Sequence, residues 1–228
     1  MADVRPKVAR GAFVQLVPNI VGFLPNIVLF QYNPEKLTHT LTPWNPFDTD
    51  QSQRGAQAPA VQPFNPKETF SLSIDVDASD ALGDGDAGAV AVGIADKLAA
   101  LKKLTLPSKG PIGDLIASAG ALLGGGASGA ERPTVPIVLF VWGPGRILPV
   151  RLTAFSVDET SFSPLLFPVQ AKVTVTIEVL PPDVFKCNKD TTAKIAMAAY
   201  NYTKTMEDAL AVKSALTDTA SALAILPF

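Results

Sequence analysis

Gly83-Asp84-Gly85-Asp86-Ala87-Gly88 spells G-x-G-x-x-G between a strand-like and a helix-like stretch. In dinucleotide sites that spacing lets backbone amides approach a pyrophosphate. Here two aspartates inside the loop would repel phosphate, the gap from the strand end is long, and no second strand ending in an acid follows. The expectation is a flexible strand-to-helix turn. Asp75, Asp77, Asp80, Asp84 and Asp86 offer the oxygen ligands that Ca²⁺ takes. Their spacing is not that of an EF-hand, and the distal acid of that loop is missing, so a solvated acidic loop without metal is expected. His39 is the only histidine. It lies in line with Leu37 and Leu41, a structural placement, and any triad or multi-histidine metal site would have to use this one residue. Cys187 has no partner motif, and Ser163 has no nucleophile-elbow context. These residues predict no enzyme and no cofactor, although a carboxylate dyad assembled in space is invisible in a sequence.

The elements that would position these groups are mostly strands. Thr134–Leu180 organises the chain. Val135–Trp142 is an apolar run ended by Gly143-Pro144-Gly145, Ile147–Val157 follows, and Asp158–Ser163 reads as a polar turn. In Val169–Leu180, Val173, Val175, Ile177 and Val179 alternate with Lys172, Thr174, Thr176 and Glu178, the period of a half-buried strand. Upstream, Gly11–Val17 and Asn26–Tyr32 read as strands, and Ile27-Val28-Leu29-Phe30, apolar on both faces, is expected to be central. Asn33-Pro34 breaks the second. Lys36–Thr42 and Thr69–Asp77 alternate, the latter with Phe70, Leu72, Ile74 and Val76 inward. Pro43–Pro66, with five prolines, is a long arm. Ala89–Leu104 reads as one helix, and 105–133 as a Gly/Ala-rich insertion with a short helix at Ile112–Leu123. After Pro181-Pro182, Thr191–Leu226 is helical by pattern. Ile195, Ala199, Tyr202, Met206 and Ala209 form an apolar seam there, interrupted by Lys213.

Composition narrows the function classes. Against 19 basic residues stand 21 acidic ones, a balance unlike that of polyanion-binding proteins, so nucleic acid is not expected as a partner. The N-terminus carries no long apolar run, so no secretory signal is expected, and a lone cysteine suits a reducing compartment. A mean hydropathy of +0.25 is high for a soluble monomer. The weakly charged Leu115–Ala130 falls short of the roughly 20 apolar residues a span needs, so buried subunit interfaces are expected instead.

Three stretches together resemble one family. Phe30-Gln31-Tyr32-Asn33-Pro34-Glu35-Lys36-Leu37 is similar to its F-x-[FY]-N-P signature. Phe70–Asp77 with the helix ending near Leu104 resembles its middle strand–Asp–helix unit. Phe140-Val141-Trp142-Gly143, then Phe162 through Pro168-Val169-Gln170-Ala171-Lys172-Val173, resembles its closing F-x-W-G and P-V-x-A-x-V pattern. The family is the tube-domain baseplate protein of contractile injection systems, the phage-tail-like particles, and the match runs from about Phe13 to Leu180 in scattered blocks.

The resemblance implies a mainly β fold with helices (α+β): a phage tail-tube-like antiparallel β-barrel or sandwich, 1–182, with one flanking helix, and a helical C-terminal tail, 183–228. It implies a structural subunit of a ring, hexameric in the family, joining the spike hub to the inner tube and initiating tube assembly. The subunit would assemble in the cytoplasm as part of a particle that can be released. Partners would be its own copies, the inner-tube protein, and spike, hub or other baseplate proteins. Phe30, Tyr32, Asn33, Pro34, Trp142, Tyr202 and Met206 are the expected interface residues. Many relatives end in a LysM module; none is expected here, where the pattern after Leu180 reads as helical. The tail is expected to take its place by docking on a neighbour, or else to fold back as a lid. An inner-tube subunit or tube-end terminator is the alternative within the class. A soluble β-barrel binding module with a cation-binding acidic loop is the alternative outside it.

Overall fold

The computed structural model describes residues 9–16, 26–43, 65–106, 118–119, 136–187 and 190–223, with side chains in the last run described through 217. Most of the expected Pro43–Pro66 arm and of the 105–133 insertion lies outside these residues. The strands are β1 (Ala12–Gln15), β2 (Ile27–Leu29), β3 (Leu37–Thr42), β4 (Lys67–Asp77), β5 (Val138–Val141), β6 (Ile147–Phe162) and β7 (Pro168–Val179). They form one antiparallel sheet in the order β2-β1-β5-β6-β7-β4-β3. The helices are α1 (Ser79–Gly83), α2 (Ala87–Val92), α3 (Ala95–Lys103) and α4 (Thr191–Leu223), with a 3₁₀ turn at Pro182–Phe185. The molecule is thus α+β, an antiparallel sheet with flanking helices.

The alternation read in β4 and β7 sets the inner face. Phe70, Leu72, Ile74 and Val76 are buried opposite Ile177, Val175, Val173 and Ala171. The sheet coils strongly around this face. Strands β4 and β5 stand three places apart, a separation of about 14 Å in a flat sheet. Yet the Phe70 and Phe140 ring centroids are 5.8 Å apart, and Phe13 and Phe30 complete the aromatic cluster. Two extra residues in β6 aid the bend: Thr153 and Thr160 fall at register shifts against β7. Their hydroxyls donate to the carbonyls of Thr176 and Gln170 across the strand. Helix α3 closes the inner space, burying Leu101, with Ile94 and Leu104 at its two ends.

Four expectations need correction. Strand β2 is not central but lies at the edge of the sheet, with Ile27 and Leu29 half exposed and only Val28 turned inward. The expected turn Asp158–Ser163 is strand through Phe162: β6 continues there, with Asp158 opposite Lys172 and Ser161 opposite Gln170. The turn is Ser163–Phe167. The single helix Ala89–Leu104 is broken. Gly93 adopts φ +58°, and a Cβ there would sit 2.1 Å from the Pro168 carbonyl oxygen. The Ile94 amide donates to that same oxygen, 2.9 Å away, so the chain re-aims there before α3 begins. Finally, the buried stripe of α4 is Thr192, Ala193, Ala196 and Thr203, whereas Ile195 and Tyr202 of the expected seam are exposed. Small residues win this face because the helix lies close against β6, and bulky ones would hold it off.

Candidate interaction site

The glycine loop is consumed by local structure. The amides of Asp84, Gly85 and Asp86 donate to the carbonyls of Asp80, Leu82 and Ala81, so these three are already spent within the loop. The Asp86 carboxylate caps α2 by accepting from the Ala89 amide at 2.9 Å. Asp77 accepts from the Ser79 amide at 2.6 Å and from Gln170 Nε2 at 2.9 Å. Its hydrogen bonds with Ser79, more than anything else, hold its pKa below the usual carboxylate value. Among the described residues no three His, Cys, Asp or Glu side chains converge as metal ligands would. Nor is any described helix long and apolar enough to cross a membrane. Cys187 is exposed and unpaired by any disulfide.

The residues expected at interfaces separate into two groups. Phe30 is 1% exposed and belongs to the aromatic core, edge-on to Phe13 and tilted against Trp142, so it offers no surface. Trp142 packs at the margin of that core against Phe140. Asn33 works inside the chain: its Oδ1 accepts from the Gly11 amide at 2.9 Å and its Nδ2 donates to the Ala9 carbonyl at 2.8 Å, pinning the segment before β1. Pro34 and Met206 are half-buried. Tyr32 is exposed, and so is Tyr202, whose hydroxyl donates to the Pro144 carbonyl at 2.8 Å.

Helix α4 therefore docks on its own domain through its first half. Its main anchor is Thr203, fully buried. The Thr203 hydroxyl accepts from the Ile147 amide at 2.9 Å and donates to the Ile147 carbonyl at 2.8 Å. Strand β7 gives out just there: the Leu180 amide donates to Pro149, and Pro181-Pro182 cannot donate. One hydroxyl can both donate and accept, so Thr203 serves Ile147 where the ladder has ended. Beyond Glu207 the helix stands free of the sheet, with Leu210, Val212 and Leu216 exposed.

A charged cluster at this end was not anticipated. Glu68 has the parity of Phe70 and so points inward at the end of β4, its side chain 6% exposed. His39 Nε2 stands 2.9 Å from Glu68 Oε1, and the imidazole stacks on Phe70 with centroids 4.3 Å apart. Lys204 of α4 reaches Glu68 Oε2 at 3.5 Å and Glu207 at 2.8 Å, beneath the Tyr200 ring. Burial pulls the Lys204 pKa down, but the Glu207 hydrogen bond and the charges of Glu68 and Glu207 outweigh it, so the net shift is upward. The available signal was the parity of Glu68 within an alternating strand.

Among the described residues, the sheet has an unpaired strand edge at each end. β2 pairs only with β1, and β3 only with β4, each leaving one edge of backbone groups without a described strand partner. Three apolar side chains also stand out at the β6–β7 turn: Phe162, Leu165 and Leu166. Comparison with models of known protein families matches none of them. Comparison with curated proteins likewise finds no significant relative.

Proposed function

We propose that this chain is a non-enzymatic structural subunit that assembles edge to edge into a ring. Within the resemblance given above, that ring is a hub-to-tube adaptor of a contractile injection particle, hexameric and joined to an inner-tube protein and a spike or baseplate partner. One observation supports the reading: a single strongly coiled sheet whose two outer strands, β2 and β3, each have one edge without a strand partner among the described residues. Such edges template pairing with another chain unless they are covered. Because β2 and β3 are different edges, joining one to the other between copies makes a head-to-tail contact, which closes into a ring when the rotation allows. The exposed Ile27 and Leu29 on β2 would be buried by such pairing.

The test is twofold. The genes beside this one should encode a sheath, a tube and a spike, and electron microscopy of the purified protein with its tube partner should show closed rings. An isolated locus together with a strictly monomeric chain would end the reading.

A further inference from the structure

Helix α4 runs on well past the sheet. Its docked face carries Thr192, Ala193, Ala196 and Thr203, whereas from Asp208 through Thr217 every side chain is exposed. At about 1.5 Å per residue, the part from Asp208 to Leu223 extends about 24 Å. A lone helix of that length is marginal in water and gains its stability from packing.

One face of this part has the spacing of a helix–helix seam. Thr205, Ala209, Val212 and Leu216 recur at intervals of four, three and four, and Thr219 and Leu223 continue the spacing in the sequence. Thr205 lies about 200° around the helix from the buried Thr203, so the seam faces away from the sheet. Val212 and Leu216 are 60% and 74% exposed there. The Thr205 hydroxyl donates to the Asn201 carbonyl of its own helix at 2.8 Å, so this residue can enter a dry contact with its polar group satisfied. A lipid surface fits poorly. Helices that lie on membranes carry a polar face rich in lysine and arginine, and Lys213 is the sole base between Asp208 and Leu223.

The charges flanking the seam select a second copy and its direction. Asp208 stands just before Ala209 and Lys213 just after Val212, both exposed. They do not face each other on one helix, where neighbouring side chains are three or four residues apart. In two parallel helices held in register, the residue before a seam position faces the residue five further along on the partner, and such flanking pairs set partner choice and orientation. Each Asp208 then meets Lys213 of the second copy. An antiparallel pair sets like flanks against each other instead. We propose that the free part of α4 pairs with the same part of a second copy, parallel and in register, through Thr205, Ala209, Val212 and Leu216. The contact needs only another copy and stands apart from the ring reading. A seam this short buries too little for tight pairing by itself, so the association is weak and strengthens where other contacts hold the copies together.

Sedimentation velocity of the full chain over its soluble concentration range, at low and high salt, tests this. The wild type should self-associate, less so as salt screens the flanking charges. Asp208→Lys and Lys213→Asp should each weaken association by about tenfold at low salt. An equimolar mixture of the two should associate again, and so should the double variant, because both arrangements restore opposite charges across the pair. In a Cys187→Ser background, Ala209→Cys should crosslink to its own kind under mild oxidation, since equivalent seam positions meet in a parallel pair. A wild type that stays monomeric overturns the proposal. So do charge variants that associate like the wild type, a mixture that restores nothing, or Ala209→Cys chains that stay uncrosslinked. A monomeric chain whose melting temperature falls in Val212→Ser/Leu216→Ser covers this face within one molecule, which overturns the proposal as well. Closed rings that form unchanged in the charge variants discard this contact and leave the ring reading standing, whereas charge-dependent pairing without rings supports the contact and counts against the ring.

Discussion

Thr203 is where the docking of α4 can be measured. Replacing it with valine keeps the β-branched shape and nearly the same helix propensity, but removes the hydroxyl that serves both polar groups of Ile147. Thr203 is fully buried, so water does not take its place without rearrangement. A buried backbone group left without a partner costs about 1–3 kcal/mol. With two such groups the expected loss is about 2–5 kcal/mol. For a chain of this size about 2–4 °C is lost per kcal/mol, so Thr203→Val should melt roughly 5–15 °C below the wild type. Thr203→Ser keeps the hydroxyl and loses one methyl, about 0.8 kcal/mol, and should melt only a few degrees lower. Thermal melts of the three proteins decide it, with hydrogen exchange at the Ile147 amide as a local readout. If the valine variant melts with the serine variant, or with the wild type, Thr203 does not anchor the helix as argued.

Further expectations follow from the same contacts. Gly93→Ala should destabilise by about 3 kcal/mol or more, since it adds left-handed strain to a clash with Pro168; a melting temperature unchanged within error would contradict the break at that residue. Truncation after Glu207 should leave melting almost unchanged, whereas truncation at Asp183 should lower it and increase binding of an apolar dye, because only the first half of α4 is docked. Lys204 has a raised pKa in the fold, so its contribution is fully present below the unfolded lysine value of about 10.4 and disappears as pH rises through the folded one. Tyr200, raised chiefly by burial, acts in the same direction. In a Tyr200→Phe background, Lys204→Met should therefore flatten the alkaline loss of stability; a profile unchanged by that substitution would count against the ion-pair account.

Much of the sheet was legible because its signal is local. The alternation in β4 and β7 depends on a period of two, and both strands bury the residues that this period selects. What was not legible depends on neighbours distant in sequence. Ile27-Val28-Leu29-Phe30 looks central because all four are apolar, but strand order is decided elsewhere, and Ile27 and Leu29 end exposed on an edge. Asp158 and Glu159 look like turn residues until Lys172 and Ala171 stand opposite them. Gly93 inside a helical pattern gives no sign of the carbonyl that it admits, because Pro168 lies 75 residues on. On α4, hydrophobicity singled out Ile195 and Tyr202, but the sheet selects for size and a hydroxyl, hence Ala193, Ala196 and Thr203. The candidate surfaces were the least legible part. Phe30 and Asn33 carry a recognisable motif, and both spend their chemistry inside the fold.

Glu68 poses the sharper question of why an acid occupies an inward position at the end of a sheet strand. Burying a charge is costly, and an ion pair rarely repays that cost in stability against an apolar replacement. What the pair can supply is register. Among the described strands β3 pairs with β4 alone, and its sequence repeats three threonines on one face. A slip by one residue would turn His39 and Leu41 outward, and a slip by two would keep the pattern of faces almost intact. The placement of His39 on Phe70 and beside Glu68 helps distinguish that two-residue slip from the native pairing, along with Leu37 on the core. Lys204 then adds α4 to the same carboxylate, so edge strand and helix are positioned by one group. On the ring reading proposed above, an edge that meets another copy needs its register set before the partner arrives. Glu68→Gln should thus leave the fold melting near its normal temperature, because the amide keeps the shape without the buried charge, while loosening β3 selectively. Faster hydrogen exchange confined to Leu37–Thr42 would carry the argument, and uniform protection across β3 in the variant would refute it.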